Sequence, residues 1–337
     1  MSRADIGIDL GTSNVIVYIS DKGIVLDEPS VIAVDARTNN IISVGKDARK
    51  MLGKTPKNIK VIRPIRKGII ADYAMAETML KYFINKVIEK KGIGIFLMPR
   101  IMVCVPSGLT AIEKKAVEEA TRQAGAREVY IIEEPIAAAV GAGIDISEAT
   151  GSMIIDIGGG TTDIAVISLG GTVISESIKV AGDKFDEDIL KYIKAKYNLV
   201  IGDRTAEKVK LEIANVYEDE EKSIIIRGVD IITRLPKAIE INCYETKEAL
   251  EESVNQIIEL SNRVLGKTPP ELIADIAEKG IIMTGGGCLL KGLAKRIEDK
   301  LGIEVKIADN PTICVAKGTG ETLNSLDILE NATGKIR

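Results

Sequence analysis

One local pattern occurs twice in the chain: Ile8-Asp9-Leu10-Gly11-Thr12-Ser13 near its start, and Ile155-Asp156-Ile157-Gly158-Gly159-Gly160-Thr161-Thr162-Asp163 near its middle. Each copy is an apolar strand that carries an Asp into a Gly/Thr turn. A second apolar strand leaves each turn, over 15–19 and 164–167. A pattern repeated at equivalent places of two halves calls for two similar folding units built around the same ligand. Glycine lets backbone N–H groups approach an anion closely, the hydroxyls add donors, and an Asp at a strand end can orient a hydrated Mg²⁺ through its waters. A single hairpin of this kind is commonplace. Two facing each other would hold a polyphosphate between them.

At 337 residues, 45% of them hydrophobic, the chain can fill the cores of two domains of ordinary size. Its net charge of -4 comes from interspersed signs with no basic stripe, which argues against nucleic acid as a partner. The chain has no histidine. That removes Ser-His-Asp and Cys-His nucleophiles and His-ligated zinc, and leaves acid–base work to carboxylates, Lys or Tyr. Cys104, Cys243, Cys288 and Cys314 are far apart with no Cys-x-x-Cys pair, and read as buried, reduced thiols of a cytosolic protein. Residues 1–5 run straight into the first strand without a signal peptide, and no window approaches 18 uncharged apolar residues, so no membrane span is expected.

Between the two hairpins the order is strand, helix, strand, helix, as in a layered α/β domain. A strand over 30–34 resumes the first sheet. Asp72 is a natural N-cap for a helix over 73–90, in which Met75, Met79, Phe83 and Val87 recur at helical spacing. A strand over 101–105, a helix over 111–124 stopped by Gly125, a strand over 128–132 and an Ala-rich helix reaching Gly143 follow. The second half restarts at Met153. It predicts helices over 185–197 and 205–217, then alternating runs over 223–227, 230–235 and 237–243 that suggest a small antiparallel insertion. Thr246 caps a long helix to about residue 265, Pro269-Pro270 begins another, and a strand over 281–284 enters Gly285-Gly286-Gly287.

No Gly-x-x-x-x-Gly-Lys-[Ser/Thr] occurs and no Gly-x-Gly-x-x-Gly follows a strand, so the phosphate site is neither a P-loop nor a dinucleotide fold. Asp9-Leu10-Gly11-Thr12, Glu134-Pro135, the second hairpin and Gly285-Gly286-Gly287, in this order, resemble the actin/heat-shock chaperone/sugar kinase superfamily. Ala71-Asp72-Tyr73, Glu133-Glu134-Pro135, Asp203-Arg204-Thr205-Ala206-Glu207 and Thr268-Pro269-Pro270-Glu271-Leu272 are similar to the MreB family of bacterial actins, over essentially the whole chain. Asp163, where many members carry Glu, and Ala181-Gly182-Asp183-Lys184-Phe185-Asp186 look more like its Mbl-type paralogues.

The resemblance implies an actin-like, ribonuclease H-like duplicated α/β fold, with a mixed sheet flanked by helices in each domain and the nucleotide in the cleft between them. Domain I would span 1–145, with an insertion over about 34–67 and a C-terminal helix over 315–337 packing back onto it. Domain II would span 146–314, with an insertion over about 182–244. Gly11, Thr12, Ser13, Asn14 and Gly158, Gly159, Gly160 would bind the phosphates of ATP or ADP, and Asp9 and Asp156 would hold Mg²⁺ through water. The family's adenosine contacts fall on Glu207, Lys208, Val209 and Lys210, with Gly285, Gly286, Gly287 and Cys288 as the opposite wall. Glu207 and Lys210 read from spacing alone as an exposed helix pair. Glu134 takes the water-orienting position, Thr161 and Asp163 would help orient the same water or the metal, and Glu133 is expected to be structural. The first hairpin thus mainly binds, while the second also bears on hydrolysis.

The apolar run Ile93-Gly94-Ile95-Phe96-Leu97-Met98, between Lys90-Lys91 and Pro99-Arg100, has two readings. It is a buried entry to the next strand, or it resembles the family's membrane-inserting loop, with Ile95, Phe96 and Leu97 entering lipid. The implied function is an ATP-dependent cytoskeletal filament that organises cell-wall synthesis and maintains rod shape from the cytoplasmic face of the membrane. Its partners would be further copies of itself, the membrane surface and the wall-elongation machinery. The strongest rival is a small-molecule kinase of the same superfamily, yet no additional polar constellation suggests an acceptor site. A chaperone ATPase would need a substrate-binding domain after the nucleotide domain, and a division protein an amphipathic C-terminal anchor.

Overall fold

The computed structural model describes residues 5–19, 21–90, 99–107, 109–217 and 221–326. Two five-stranded mixed sheets carry the same topology. In the first, Asp5–Leu10 is central, with Asn14–Ile19 and then Gly23–Pro29 antiparallel on one side, and Arg100–Val105 and then Glu128–Glu133 parallel on the other. In the second, Ser152–Ile157 is central, with Thr162–Ser168 and Gly171–Ile178 on one side and Ile281–Thr284 and Val305–Ile307 on the other. The repeated sequence pattern is therefore the central hairpin of each sheet, and the fold is the expected duplicated α/β architecture.

Helices cover the sheets where apolar residues recur at helical spacing. Tyr73–Lys90 starts at Asp72, whose Oδ1 accepts from the Met75 N–H at 3.1 Å, and buries Met79, Leu80, Phe83, Ile84 and Val87. Ala111–Gln123 opens with a reciprocal capping box between Thr110 and Glu113. On the second half, Cys243–Lys267 buries Leu250, Val254, Ile257 and Val264. Its N-cap is Asn242, which forms a capping box with Glu245, and not Thr246 as the sequence suggested. Thr246 is buried one turn in, its hydroxyl donating to the Cys243 carbonyl.

Other expectations were displaced by local chemistry. The run over 30–34 does not rejoin the first sheet; Ile32–Asp35 instead starts a separate three-stranded sheet with Ile41–Val44 and Ile59–Ile62. Of the three alternating runs after 222, two are strands, Ser223–Asp230 and Pro236–Asn242, with Leu199–Val200 as the third member of their sheet. The run over 230–235 is the turn between them, because Asp230 Oδ1 accepts the N–H groups of Ile232 and Thr233, and Arg234 has φ 62°. The helix expected over 205–217 is Asp203–Ile213; Ala214 turns extended, and Asn215 bridges to Lys291. The expectations for Ile95, Phe96 and Leu97, and for a helix beyond residue 326, lie outside the described residues.

The halves meet along a seam made by two helices, Glu134–Gly141 and Cys314–Asn324. A Cβ added at Gly141 would lie 1.8 Å from the Cys314 carbonyl oxygen, and one at Gly318 would lie 1.8 Å from that of Ala137. The backbones are in contact, so only glycine fits. Around this seam Met102 and Cys104 of the first sheet, Ala137 to Ala139, Ile154 and Ala165 of the second sheet, and Val315 share one apolar cluster. The Ala-rich run is short-sided because it passes between two sheets. All four cysteines are free and buried, and no described helix is long and apolar enough to cross a membrane.

Candidate functional site

Both central hairpins open on a cavity of about 780 Å³ between the two halves. The pairing registers put Asp9 and Asp156 at matching places, one pair in from each turn. The turns approach each other closely: a Cβ on Gly159 would lie 1.9 Å from Ser13 Oγ, and one on Gly160 would lie 2.4 Å from Thr12 Oγ1 and 2.8 Å from Lys67 Cα. Side chains there would push the hairpins apart. The first turn is braced from its own half, with Ser30 Oγ donating to the Gly11 carbonyl at 2.6 Å and Asn14 Nδ2 to Asp27 Oδ1 at 2.6 Å. The second is braced by the helix Gly182–Tyr197, whose first N–H groups, those of Gly182 and Asp183, donate to the carbonyls of Gly158 and Gly159.

Glu134 enters the cavity from the first residue of its helix. It is nearly inaccessible, and burial first, then the charges of Asp163, Asp156 and Asp9, raise its carboxyl well above the usual range. Burial, with Asp156 and Asp27 adding to it, pushes Asp9 up to about 7. Burial does the same to Asp156, also to about 7, against the hydrogen bond it accepts from Thr284 Oγ1 at 2.7 Å. Glu133, one residue earlier, points elsewhere and pairs with Lys114 at 3.0 Å, the structural role expected of it.

Three carboxylates of one sign at one end of a cavity hold their charge only beside a cation. Among the described residues no three acidic or Cys side chains converge closely enough to ligate a metal directly. An all-oxygen set too dispersed for direct ligation suits Mg²⁺, which keeps several waters and is held through one or two carboxylates and substrate phosphates. The residues present therefore fit a hydrated Mg²⁺.

Not every sequence-assigned residue reaches the cavity. Gly11 to Asn14, Gly158 to Thr161, Glu207, Lys210 and Gly285 to Gly287 line it, with Asp9, Glu134 and Asp156. Lys208, Val209, Cys288 and Asp163 do not. Val209 is on the buried face of the helix Asp203–Ile213, Lys208 faces solvent near Glu212, and Cys288 is wholly buried in its turn. Asp163 is fully covered and paired in register with Asp156. Its carboxylate lies beside Thr161, Ser177 and the Ser107 N–H without a hydrogen bond of good geometry, and burial raises its pKa. Lys210 is anchored, donating to the Gly182 carbonyl and to Asp186, both at 2.9 Å.

The structure adds a set of residues that the sequence reading did not assign to the site: Arg49, Arg63, Arg66, Lys67, Gly68 and Glu187, with Asp183 and Arg204, which stood only within family motifs. The turn over 66–68 touches both hairpins, its Gly68 N–H donating to Thr12 Oγ1 at 3.0 Å. The chain turns at Lys67, φ 51°, and Gly68, φ 72°, where the glycine is the only local sign of a turn. Nothing local marked the other members.

The family described as MreB/Mbl protein matches residues 3–331. The chain is 51% identical to the cell shape-determining protein Mbl of Bacillus subtilis (strain 168), over 98% of each chain. It is 45% identical to the cell shape-determining protein MreB of Escherichia coli (strain K12), over 97% of this chain and 95% of that one. Among solved structures, MreB5 of Spiroplasma citri bound to AMPPNP is similar with a TM-score of 0.91 at 40% identity, covering 97% of this chain and 98% of that one. An actin-like fold, the duplicated hairpins and full-length identity at this level agree: the chain belongs to the MreB/Mbl family.

Proposed function

We propose that the chain is an ATPase of the bacterial actin type, which binds ATP with Mg²⁺ in the interdomain cleft and assembles into filaments that maintain cell shape. The observation that carries this reading is the convergence of both Gly/Thr turns, Asp9, Asp156 and Glu134 on one cavity that Glu207 and Lys210 also line. Backbone N–H groups and hydroxyls of Gly11 to Asn14 and Gly158 to Gly160 bind the phosphates. Asp9 and Asp156 hold the waters of Mg²⁺, which when bound neutralises charge developing on the phosphate oxygens. Glu207 and Lys210 border the nucleoside, opposite Gly285 to Gly287.

Glu134 orients the attacking water by accepting its proton, with the Thr161 hydroxyl as second partner. Burial raises the Glu134 carboxyl well above its ordinary range, and an adjoining cation, by favouring the charged form, would make it a base. Coupling hydrolysis to the position of this one carboxylate is consistent with a protein that times assembly by its nucleotide. Asp163, behind the cavity wall, supports Thr161 and does not meet the water.

At the level of the molecule, the division near residue 145 and the two insertions make the cleft, and the C-terminal helix ties the second half back to the first. We place the protein on the cytoplasmic face of the membrane, with Ile95, Phe96 and Leu97 as lipid contacts, further copies of itself and the wall-elongation machinery as partners. The name cell shape-determining protein of the 51% identical relative supports that assignment. Light scattering with ATP and with a nonhydrolysable analogue, with phosphate release followed in parallel, tests it. Nucleotide-dependent polymer and phosphate released to water are expected; transfer of the phosphoryl group to an added alcohol without polymer would instead support a kinase.

A further inference from the structure

The cleft is crossed by ion pairs of one polarity. Among the described residues, each ion pair across the cleft has its cation from the first half and its anion from the second: Arg49 to Glu207 at 2.6 Å, Arg63 to Asp183 at 3.5 Å, and Lys67 to Glu187 at 3.5 Å. A fourth link crosses in the opposite sense, with the Arg204 guanidinium of the second half donating to the Arg49 carbonyl of the first. All these residues line the cavity. Arg49 Nη2 donates to both oxygens of Glu207, at 2.6 and 2.7 Å. A carboxylate has about four acceptor sites, so a ligand hydroxyl can share Glu207 without displacing Arg49.

We infer that Arg49, Arg63 and Lys67 form an electrostatic latch that closes the cleft over its ligand and limits the ligand's exit, with Arg49 also positioning Glu207. For a nucleotide ligand this rests on the function proposed above; the closure itself does not. Each pair is partly exposed, with side-chain exposures between 26 and 48%, so each is individually weak. Removing one speeds release about two- to fivefold, and removing all three about tenfold or more if they act independently. The latch also weakens as salt rises.

Two measurements test it on the full chain. Spin labels at Lys54→Cys and Glu212→Cys, exposed positions on either side, report cleft width without ligand; the four native cysteines are buried and stay unlabelled. In parallel, the dissociation rate of N-methylanthraniloyl-ADP is followed after mixing with excess ADP. The charge reversal Lys67→Glu is expected to add a longer distance and speed release. The double exchange Lys67→Glu with Glu187→Lys should restore both, as loss of a merely structural residue would not. Arg49→Ala should behave as Lys67→Glu does. Unchanged distance and rate in Arg49→Ala and Lys67→Glu would overturn the latch, and so would a widened cleft with unaltered release or a double exchange that rescues nothing. Failure of the parent to bind the labelled nucleotide would overturn the nucleotide reading, while the distances alone still decide closure.

Discussion

Glu134 and Asp9 are both buried acids at one cavity, yet substitution should separate them. Glu134→Ala removes only the group that orients water, so ATP is retained while phosphate release falls about 100-fold or more; a filter-binding and phosphate-release pair of assays checks this, and normal turnover would exclude the role. Asp9 bears on stability as well. Its pKa in the fold, about 7, lies above the ordinary 3.8, so the folded chain keeps a proton that the unfolded chain has lost. Stability of the ligand-free protein therefore declines as pH climbs from about 4 through about 7. Asp9→Asn carries no such penalty and should be more stable than the parent near pH 7.5, by on the order of 2 kcal/mol, with the gap narrowing toward pH 5. Calorimetry in a chelator measures it. With Mg²⁺ and nucleotide present the order should reverse, because the parent then gains ligand stabilisation that the variant lacks.

At the scale of elements, the seam helices are the most demanding packing in the molecule. Gly318→Ala would set a methyl 1.8 Å from the Ala137 carbonyl oxygen, so the two helices must separate. A loss of about 3 kcal/mol follows from overpacking of this kind, read as a lower urea midpoint; an unshifted midpoint would mean that the helices are not held together there. Elements with a local signature were legible: the hairpins turn on glycines, and the helices Tyr73–Lys90 and Pro270–Lys279 begin on residues whose chemistry acts within a few positions. The 230–235 run was misread because an Asx turn uses the same apolar alternation as a strand. The cations of Arg49 and Arg63 were invisible as site residues, since their partners lie 158 and 120 positions away and only the packing of two insertions brings them together. The side chains of Cys288 and Val209 are buried off the cavity although their neighbours line it, because adjacent residues on a helix or tight turn face different directions.

For the whole molecule, weak contacts gain strength through repetition. In the proposed membrane role, Ile95, Phe96 and Leu97 would each contribute on the order of 1 kcal/mol after partial burial in lipid, too little to hold one protomer firmly, and Lys90, Lys91 and Arg100 would add attraction for anionic headgroups. A filament presenting many such segments along one face binds as a multivalent array. Replacing all three apolar residues by Ser should abolish pelleting with anionic liposomes while polymerisation in solution persists; undiminished pelleting would refute the lipid role. The seam sets how such a filament subunit moves. Both chain crossings between the halves run through the contact of Gly141 with Cys314 and of Gly318 with Ala137, so this contact acts as a fulcrum. For a rotation about it, elements beside the contact would shift little, whereas those farthest from it would sweep the longest arc. A force of the size of a single surface ion pair, applied far from that fulcrum, would gain leverage over a change in the buried site that it could not impose close to it.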